Sequence, residues 1–290
     1  MDPRSDPEAT AEVLTQALPY IQRFAKRTVV VKYGGHAMTD PALARLFAAD
    51  IVLMHSVGIR PVVIHGGGPQ IGELMARLGK EATFKKGLRV TDSETLDIAR
   101  MVLVGKINRD IVSSINVHGS LAVGVSGEDG GLIRASARDP ELGFVGDIES
   151  VDPTLIDRLL AESLIPVIST IGSDAAGQAY NINADTVAGG IAAALGAEKL
   201  IMLTDVDGLR SDPEDPSSLV ARATAAEVGA MIAEGTALGG MIPKLEAAVA
   251  AVTGGVASAH LVDGTRPHVL LLELFTDAGI GTMITIGETP

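Results

Sequence analysis

The sequence predicts a mainly parallel, layered α/β fold, and three observations carry that prediction. Short runs of β-branched and aliphatic residues alternate with helix-period segments along the chain, the order that builds strand–helix–strand units. Of the 290 residues 47% are hydrophobic, yet only 3% are aromatic and none is Trp, so the core must be Ala, Val, Ile, Leu and Met. That palette suits helices packed tightly on a parallel sheet, and the length suffices for one large domain or two lobes. A strand, a glycine turn and a helix follow one another more than once.

Taken in order, residues 1–10 are polar and read as mobile. From Ala11 to Lys26, Leu14, Leu18, Ile21 and Ala25 recur at helical spacing, with Pro19 kinking the helix or starting a second one. Val29-Val30-Val31-Lys32-Tyr33 reads as a buried strand ending in Gly34-Gly35. Asp40-Pro41 then starts a helix running to about His55, and Pro61 to Ile64 is a strand closed by His65-Gly66-Gly67-Gly68-Pro69. Lys85 to Val90 reads as a hairpin; Thr91 and Glu94 have capping-box spacing and open a long helix towards His118. Leu121 to Val125 is a strand leading into the glycine-rich stretch Ser126 to Gly131.

Asp152-Pro153 starts a further helix and Ile165 to Ser169 is a strand. Asp185, after Tyr180 to Ala184, is placed to begin an alanine-rich helix reaching Leu195. Leu200 to Leu203 is a buried strand closed by Thr204-Asp205-Val206-Asp207-Gly208, and Ser211 to Ser217 is a surface loop. A glycine-bearing loop from Gly235 to Lys244 enters a helix from Leu245 to Val252. A strand near His260 to Val262 and a tail from Leu270 to Ile286 complete the order.

Composition excludes several classes of function. A formal net charge of −13 argues against nucleic acid, which needs clustered Lys and Arg, so any phosphate site is local. Cys is absent, which removes disulfides, thiolate nucleophiles and thiolate metal sites. No apolar run approaches the roughly 20 residues of a membrane span, and the acidic start does not read as a signal peptide, so a cytoplasmic location is expected. The six histidines show no metal-ligand spacing, and no metal site is expected.

The chemistry concentrates in glycine turns after strands. Gly34-Gly35, Gly66-Gly67-Gly68 and Gly127 to Gly131 together form a composite signal, because glycine lets backbone N–H groups approach an anion closely. Lys32 adds a cation at a strand's carboxyl end; by itself it also reads as a surface lysine before a turn. Neither G-x-x-x-x-G-K-[ST] nor G-x-G-x-x-G is present. His65-Gly66-Gly67-Gly68 is similar to an esterase oxyanion loop, but Gly124-Val125-Ser126-Gly127-Glu128 puts Glu where the nucleophile elbow needs Gly, so a serine hydrolase ranks below phosphoryl transfer. Asp185 reads as an N-cap or as a carboxylate orienting Lys32 and Lys244, if the two converge. Arg89 reads as an exposed arginine or a bidentate clamp for a carboxylate. Asp205 and Asp207 read as turn-formers.

Val31-Lys32-Tyr33-Gly34-Gly35, His65 to Pro69, Lys86 to Thr91, Asn181-Ile182-Asn183-Ala184-Asp185 and Gly240 to Lys244 together resemble the N-acetylglutamate kinases of the amino acid kinase family. The resemblance covers about Thr28 to the end and implies a three-layer αβα sandwich. It implies an N-terminal helical extension for oligomerisation (1–27), a lobe for the acyl amino acid (28–193) and a lobe for ATP (194–290). The implied reaction moves the γ-phosphoryl of ATP to the side-chain carboxylate of N-acetyl-L-glutamate, the second step of arginine synthesis, with Mg²⁺ on the nucleotide and no tightly bound cofactor. Carried over by motif, Lys32 and Lys244 stabilise the transferring phosphoryl and Asp185 organises them. Gly67, Gly68, Arg89 and Asn181 bind the substrate; Gly34, Gly35, Asn183 and Asp205 belong to the phosphate and ATP site. The N-terminal helix and the stretches Pro267 to Glu273 and Gly279 to Thr282 resemble arginine-inhibited hexameric members, making Tyr20, Lys199, His268 and Glu273 candidates for an arginine site. A homo-oligomer, dimer to hexamer, and a PII-type signalling partner come with that resemblance.

Two rival functions stand beside this one. A kinase for N-acetyl-aminoadipate or another acyl amino acid would carry the same motifs, since one methylene is worth only about 1–3 kcal/mol of discrimination. A non-catalytic effector-binding regulatory protein would not need Lys32, Asp185 and Lys244 together.

Overall fold

The computed structural model describes residues 6–85, 87–236, 239–277 and 279–287. Residues 1–5, Lys86 of the hairpin motif and positions 237 and 238 of the glycine-bearing loop lie outside the described residues. The first helix, α1 (Pro7–Phe24), starts earlier than its apolar spacing indicates, because the Asp6 carboxylate accepts from the N–H groups of Glu8 and Ala9. Residues 7–10 are therefore helical rather than mobile, and Pro19 lies inside a single helix.

The core begins with β1 (Thr28–Tyr33), α2 (Pro41–Ser56), β2 (Arg60–His65) and α3 (Gly68–Arg77). The hairpin β3 (Phe84–Lys85) and β4 (Leu88–Arg89) forms as expected. Next, α4 (Ser93–Arg100), a π-helical stretch (Met101–Ile107) and α5 (Asn108–Asn116) run on without a break. The cap of α4 is Asp92, which accepts from Thr95 N at 2.8 Å; Thr91 is buried and its hydroxyl donates to Arg89 O, so the expected Thr91–Glu94 box does not form.

Then follow β5 (Ala122–Ser126), β6 (Ile133–Ala137), β7 (Val145–Val151), α6 (Thr154–Ala161), β8 (Ile165–Ser169), β9 (Ile171–Ser173), β10 (Ala179–Ile182) and α7 (Ala184–Ala194). The last part holds β11 (Lys199–Thr204), β12 (Arg222–Thr224), α8 (Ala225–Ala233), α9 (Met241–Thr253), β13 (Ser258–Asp263), α10 (Val269–Phe275) and β14 (Gly281–Thr285).

Eight strands form the central sheet in the order β12-β14-β13-β11-β1-β2-β8-β5, parallel except where β14 runs against β13. Successive side chains of β1 go to opposite faces: Val29 and Val31 join one apolar core and Val30 the other, giving the three-layer αβα sandwich. The strands β6, β7, β9 and β10 close a small barrel that the sequence reading did not foresee. Their polar interruptions, such as Arg134 and Ser136 in β6, hide the apolar run that marked the central strands. Sequence reading also passed over β12 and α8.

Candidate active site

Strand β1 lies between β11 and β2, so Lys32 near its carboxyl end sits at the middle of the sheet, level with Ile64 and Met202. Asp185 arrives from the first turn of α7, whose cap is Asn183 and not Asp185: the Asn183 side chain accepts from the N–H groups of Asp185 and Thr186. Capping by the preceding asparagine leaves the Asp185 carboxylate free to turn inward. Lys244 belongs to the first turn of α9, which begins at Met241, rather than to the loop before it.

These three side chains meet. Lys32 Nζ lies 3.1 Å from Asp185 Oδ1, and Lys244 Nζ lies 2.9 Å from Asp185 Oδ2. Lys244 makes a hydrogen bond, whereas Lys32 stands off the hydrogen-bonding direction and leaves Oδ1 paired by charge alone. Burial disfavours the Asp185 carboxylate, but the charges of Lys32 and Lys244 and the Lys244 hydrogen bond outweigh it and hold its carboxyl below the usual range. Burial pulls Lys32 down from the ordinary lysine value, and Lys244 beside it works in the same direction against the pull of Asp185. Two cations on one carboxylate leave a net positive charge, which a phosphoryl group can complete.

The space in front of this cluster is a cleft of about 270 Å³ lined by Lys32, Gly34, Gly35, Gly67, Gly68, Arg89, Asn181, Asn183 and Asp185. At Gly34 a Cβ would come within 2.6 Å of Lys32 Nζ, so only glycine leaves the ammonium its place. Gly35 adopts φ 71°, and a side chain there would run into the carboxylate of Asp205, in the turn after β11. Arg89 donates to Gly68 O at 2.9 Å and stacks over Phe84 at 4.8 Å. The third glycine turn is elsewhere: it follows β5, the outermost strand at that edge, and Gly127 packs against Ile133 and Ile171. Ser126 is buried with its hydroxyl 3.4 Å from Glu128, not from an imidazole, which removes the serine hydrolase.

A model of the amino acid kinase family matches residues 27–263. The chain belongs to the amino acid kinase family. Among its relatives, the acetylglutamate kinase of Nostoc sp. is 54% identical over 279 residues, 96% of this chain and 94% of that one. The acetylglutamate kinase of Pelotomaculum thermopropionicum is 51% identical over 292 residues, covering 97% and 99%. Among solved structures, N-acetylglutamate synthase from Neisseria gonorrhoeae, complexed with coenzyme A and N-acetyl-glutamate, superposes with a TM-score of 0.84 at 27% identity; the match covers 96% of this chain and 64% of that one.

This amino acid kinase chain carries a second cavity, of about 620 Å³, lined by residues of α1, α10 and the strands β11 to β14. It brings together Tyr20, Lys199 and Glu273 of the residues expected there, with Arg23, Arg222, His260 and Asp277. Glu273 Oε1 receives Lys199 Nζ at 2.9 Å and His260 Nδ1 at 2.8 Å. Burial opposes the Glu273 charge, yet His260 and Lys199 bring its carboxyl down to about 2. His268 does not join them. It precedes α10 and puts Nδ1 2.7 Å from Asp50 Oδ1 of α2, outside the second cavity's lining. The histidine that sequence reading missed is His260, whose signal was a lone imidazole within the apolar run of β13.

Among the described residues no helix is long and apolar enough to cross a membrane, and no group of three or more His, Cys, Asp or Glu side chains could hold a metal ion.

Proposed function

We propose that this chain transfers the γ-phosphoryl group of ATP to the side-chain carboxylate of N-acetyl-L-glutamate in arginine biosynthesis. One observation carries the reading: two lysines on a single buried aspartate, facing a glycine-lined cleft that also holds Arg89. Curated acetylglutamate kinases with more than half of their residues in common support the choice of acceptor.

The chemistry follows from the acceptor. A carboxylate is already a nucleophile, so no general base is needed; its oxygen bonds to the γ-phosphorus as the bond to ADP breaks. Catalysis then consists of alignment and neutralisation of charge. Lys32 and Lys244 stabilise the transferring oxygens, and Asp185 holds both ammonium groups in place without taking a proton. Gly34, Gly35 and Asn183 border the phosphates, and Asp205 supports that glycine turn. Gly67, Gly68 and Asn181 hold the acyl amino acid, with Arg89 on its α-carboxylate. Mg²⁺ arrives with the nucleotide as part of the substrate, since magnesium commonly rests on phosphates and few protein ligands. In this reading residues 28–193 hold the acyl amino acid, 194–290 hold ATP, and 1–27 serve oligomerisation in a cytoplasmic enzyme.

The second cavity fits an arginine effector. Glu273 and Asp277 offer carboxylates to a guanidinium, and Arg23 and Arg222 offer cations to its carboxylate. Tyr20, Lys199, His260 and Glu273 form the set. Val13, Leu14 and Leu18 of α1 are exposed, a stripe suited to the helix of another copy in a hexamer. A PII-type partner remains part of the family reading.

The deciding experiment traps acyl phosphate with hydroxylamine in the presence of MgATP. N-acetyl-L-glutamate is expected to react well ahead of N-acetyl-aminoadipate and unacetylated glutamate. Reaction with another acceptor only would move the pathway, and none with any would favour the regulatory protein.

A further inference from the structure

Behind the glycine loop lies a buried polar pair with no part in the phosphoryl chemistry, His65 and Asn108. Asn108 follows the π-helical stretch, whose wider turn re-phases the helix face. Leu103 and Ile107 of that stretch press on Gly67, where a Cβ would collide with both, and Asn108 is brought beneath His65. On the other side Gly124 of β5 has no Cβ, which leaves the space Asn108 and Arg109 occupy.

The orientation of the Asn108 amide follows from its neighbours. Nδ2 lies 2.9 Å from Val167 O, which can only accept, and Oδ1 accepts from the Arg109 guanidinium. Of the two remaining acceptors, His65 Nε2 at 3.2 Å is nearer than Val125 O at 3.5 Å, so the second Nδ2 hydrogen is directed to the imidazole. Nε2 must therefore accept, so the proton of the neutral ring sits on Nδ1, 3.0 Å from Gly66 O. The next two carbonyls are held as well: Gly67 O accepts from Ile71 N at 2.9 Å, and Gly68 O from Arg89 Nη2 at 2.9 Å. Because the peptide unit is planar and trans, the direction of the Gly66 carbonyl sets that of the Gly67 N–H.

We propose that Asn108 is a positioning residue: through the His65 imidazole it fixes the Gly66–Gly67 peptide plane, and with it the Gly67 N–H, in the loop that lines the cleft. The inference rests on the reading that this loop binds the acyl amino acid.

The test is a double-mutant cycle of Asn108→Leu and His65→Asn, with KM for N-acetyl-L-glutamate, KM for ATP, kcat and the folding midpoint measured for each. Asn108→Leu is expected to raise KM for N-acetyl-L-glutamate about tenfold, the scale of one hydrogen bond, with KM for ATP unchanged. His65→Asn keeps a donor near Gly66 O and cuts the link to Asn108, so adding Asn108→Leu to it should change KM no further. Equal rises in both KM values, or effects that simply add, overturn the proposal. Should Asn108→Leu fail to fold, ¹⁵N NMR of the unmodified protein decides: a proton on His65 Nδ1 at neutral pH is expected, and one on Nε2 overturns the relay. That readout needs no substrate. The substrate role of the loop is read separately from KM of Gly68→Ala, whose added methyl meets no atom within 4 Å.

Discussion

Lys244 on α9 donates to Asp185 on α7 at 2.9 Å, a bond between positions 59 residues apart, and it brings a second cation onto the carboxylate that Lys32 faces. Lys32 stands on the same carboxylate at 3.1 Å. Asp185 is thus the element common to both lysines. Asp185→Ala leaves Lys32 buried without its partner, and loss of one member of a buried pair costs about 3–5 kcal/mol. A loss of unfolding free energy of that order, read from urea titration, is expected, together with loss of turnover; a variant as stable as the parent would show that the ion pairs contribute nothing to the fold.

Lys32→Ala removes a cation that the proposed mechanism aims at the transferring phosphoryl. Loss of one such electrostatic group lowers kcat by about 10²–10³-fold. Steady-state kinetics should show this fall with KM for both substrates changed far less. Unchanged turnover would refute the roles given to the lysines.

Gly34→Ala places a methyl 2.6 Å from Lys32 Nζ. The ammonium must move, while the protein core is untouched. The expected result is a kcat reduced by about 10²-fold, the cost of misplacing a catalytic group by roughly 1 Å, with a thermal midpoint close to the parent's. A fully active variant would mean that Lys32 works from another position.

His65 is buried, and that burial holds its pKa down to about 4 from the ordinary 6.5. The unfolded chain therefore takes up this proton at higher pH than the folded chain does. The sign is fixed: the stability due to the neutral ring is complete above pH 6.5 and is lost as pH falls towards about 4. The loss amounts to about 3 kcal/mol at most. Denaturant midpoints across this window should slope downward with acid in the parent and slope less in His65→Asn.

Glu273→Gln keeps the shape of the second cavity and removes the charge shared by Lys199 and His260. On the proposal that arginine inhibits through this cavity, about tenfold or higher concentration should then be needed for half-inhibition, the scale of a charged hydrogen bond, with kcat unaltered. Unshifted inhibition would place the effector elsewhere.

How much of this was legible beforehand differs by element. Val29 to Tyr33, Pro61 to Ile64, Ile165 to Ser169 and Leu200 to Leu203 announce themselves, because a strand buried on both faces is a continuous apolar run. Asp40-Pro41 announces a helix start because a cap acts over three residues. The motif order likewise named the family and nine residues that line the cleft, Lys32, Gly34, Gly35, Gly67, Gly68, Arg89, Asn181, Asn183 and Asp185, but Lys244 and Asp205 are not in its lining.

Other features depended on partners distant in sequence. Asp92 caps in place of Thr91 because the hairpin carbonyl of Arg89 claims the threonine hydroxyl. The small barrel is assembled from strands that are either short, as β9 and β10 are, or interrupted by polar residues, as β6 and β7 are, so none can be read singly. His260 rather than His268 meets Glu273 because β13 lies beside β11 in the sheet, while His268 is held by Asp50 of α2. The sequence by itself determined which segments are buried and which residues could carry charge to a phosphate, since both are properties of a few neighbouring side chains. Only the tertiary structure decided that Lys32, Asp185 and Lys244 converge and that Asn108 lies under His65, because those distances follow from strand order and helix phase.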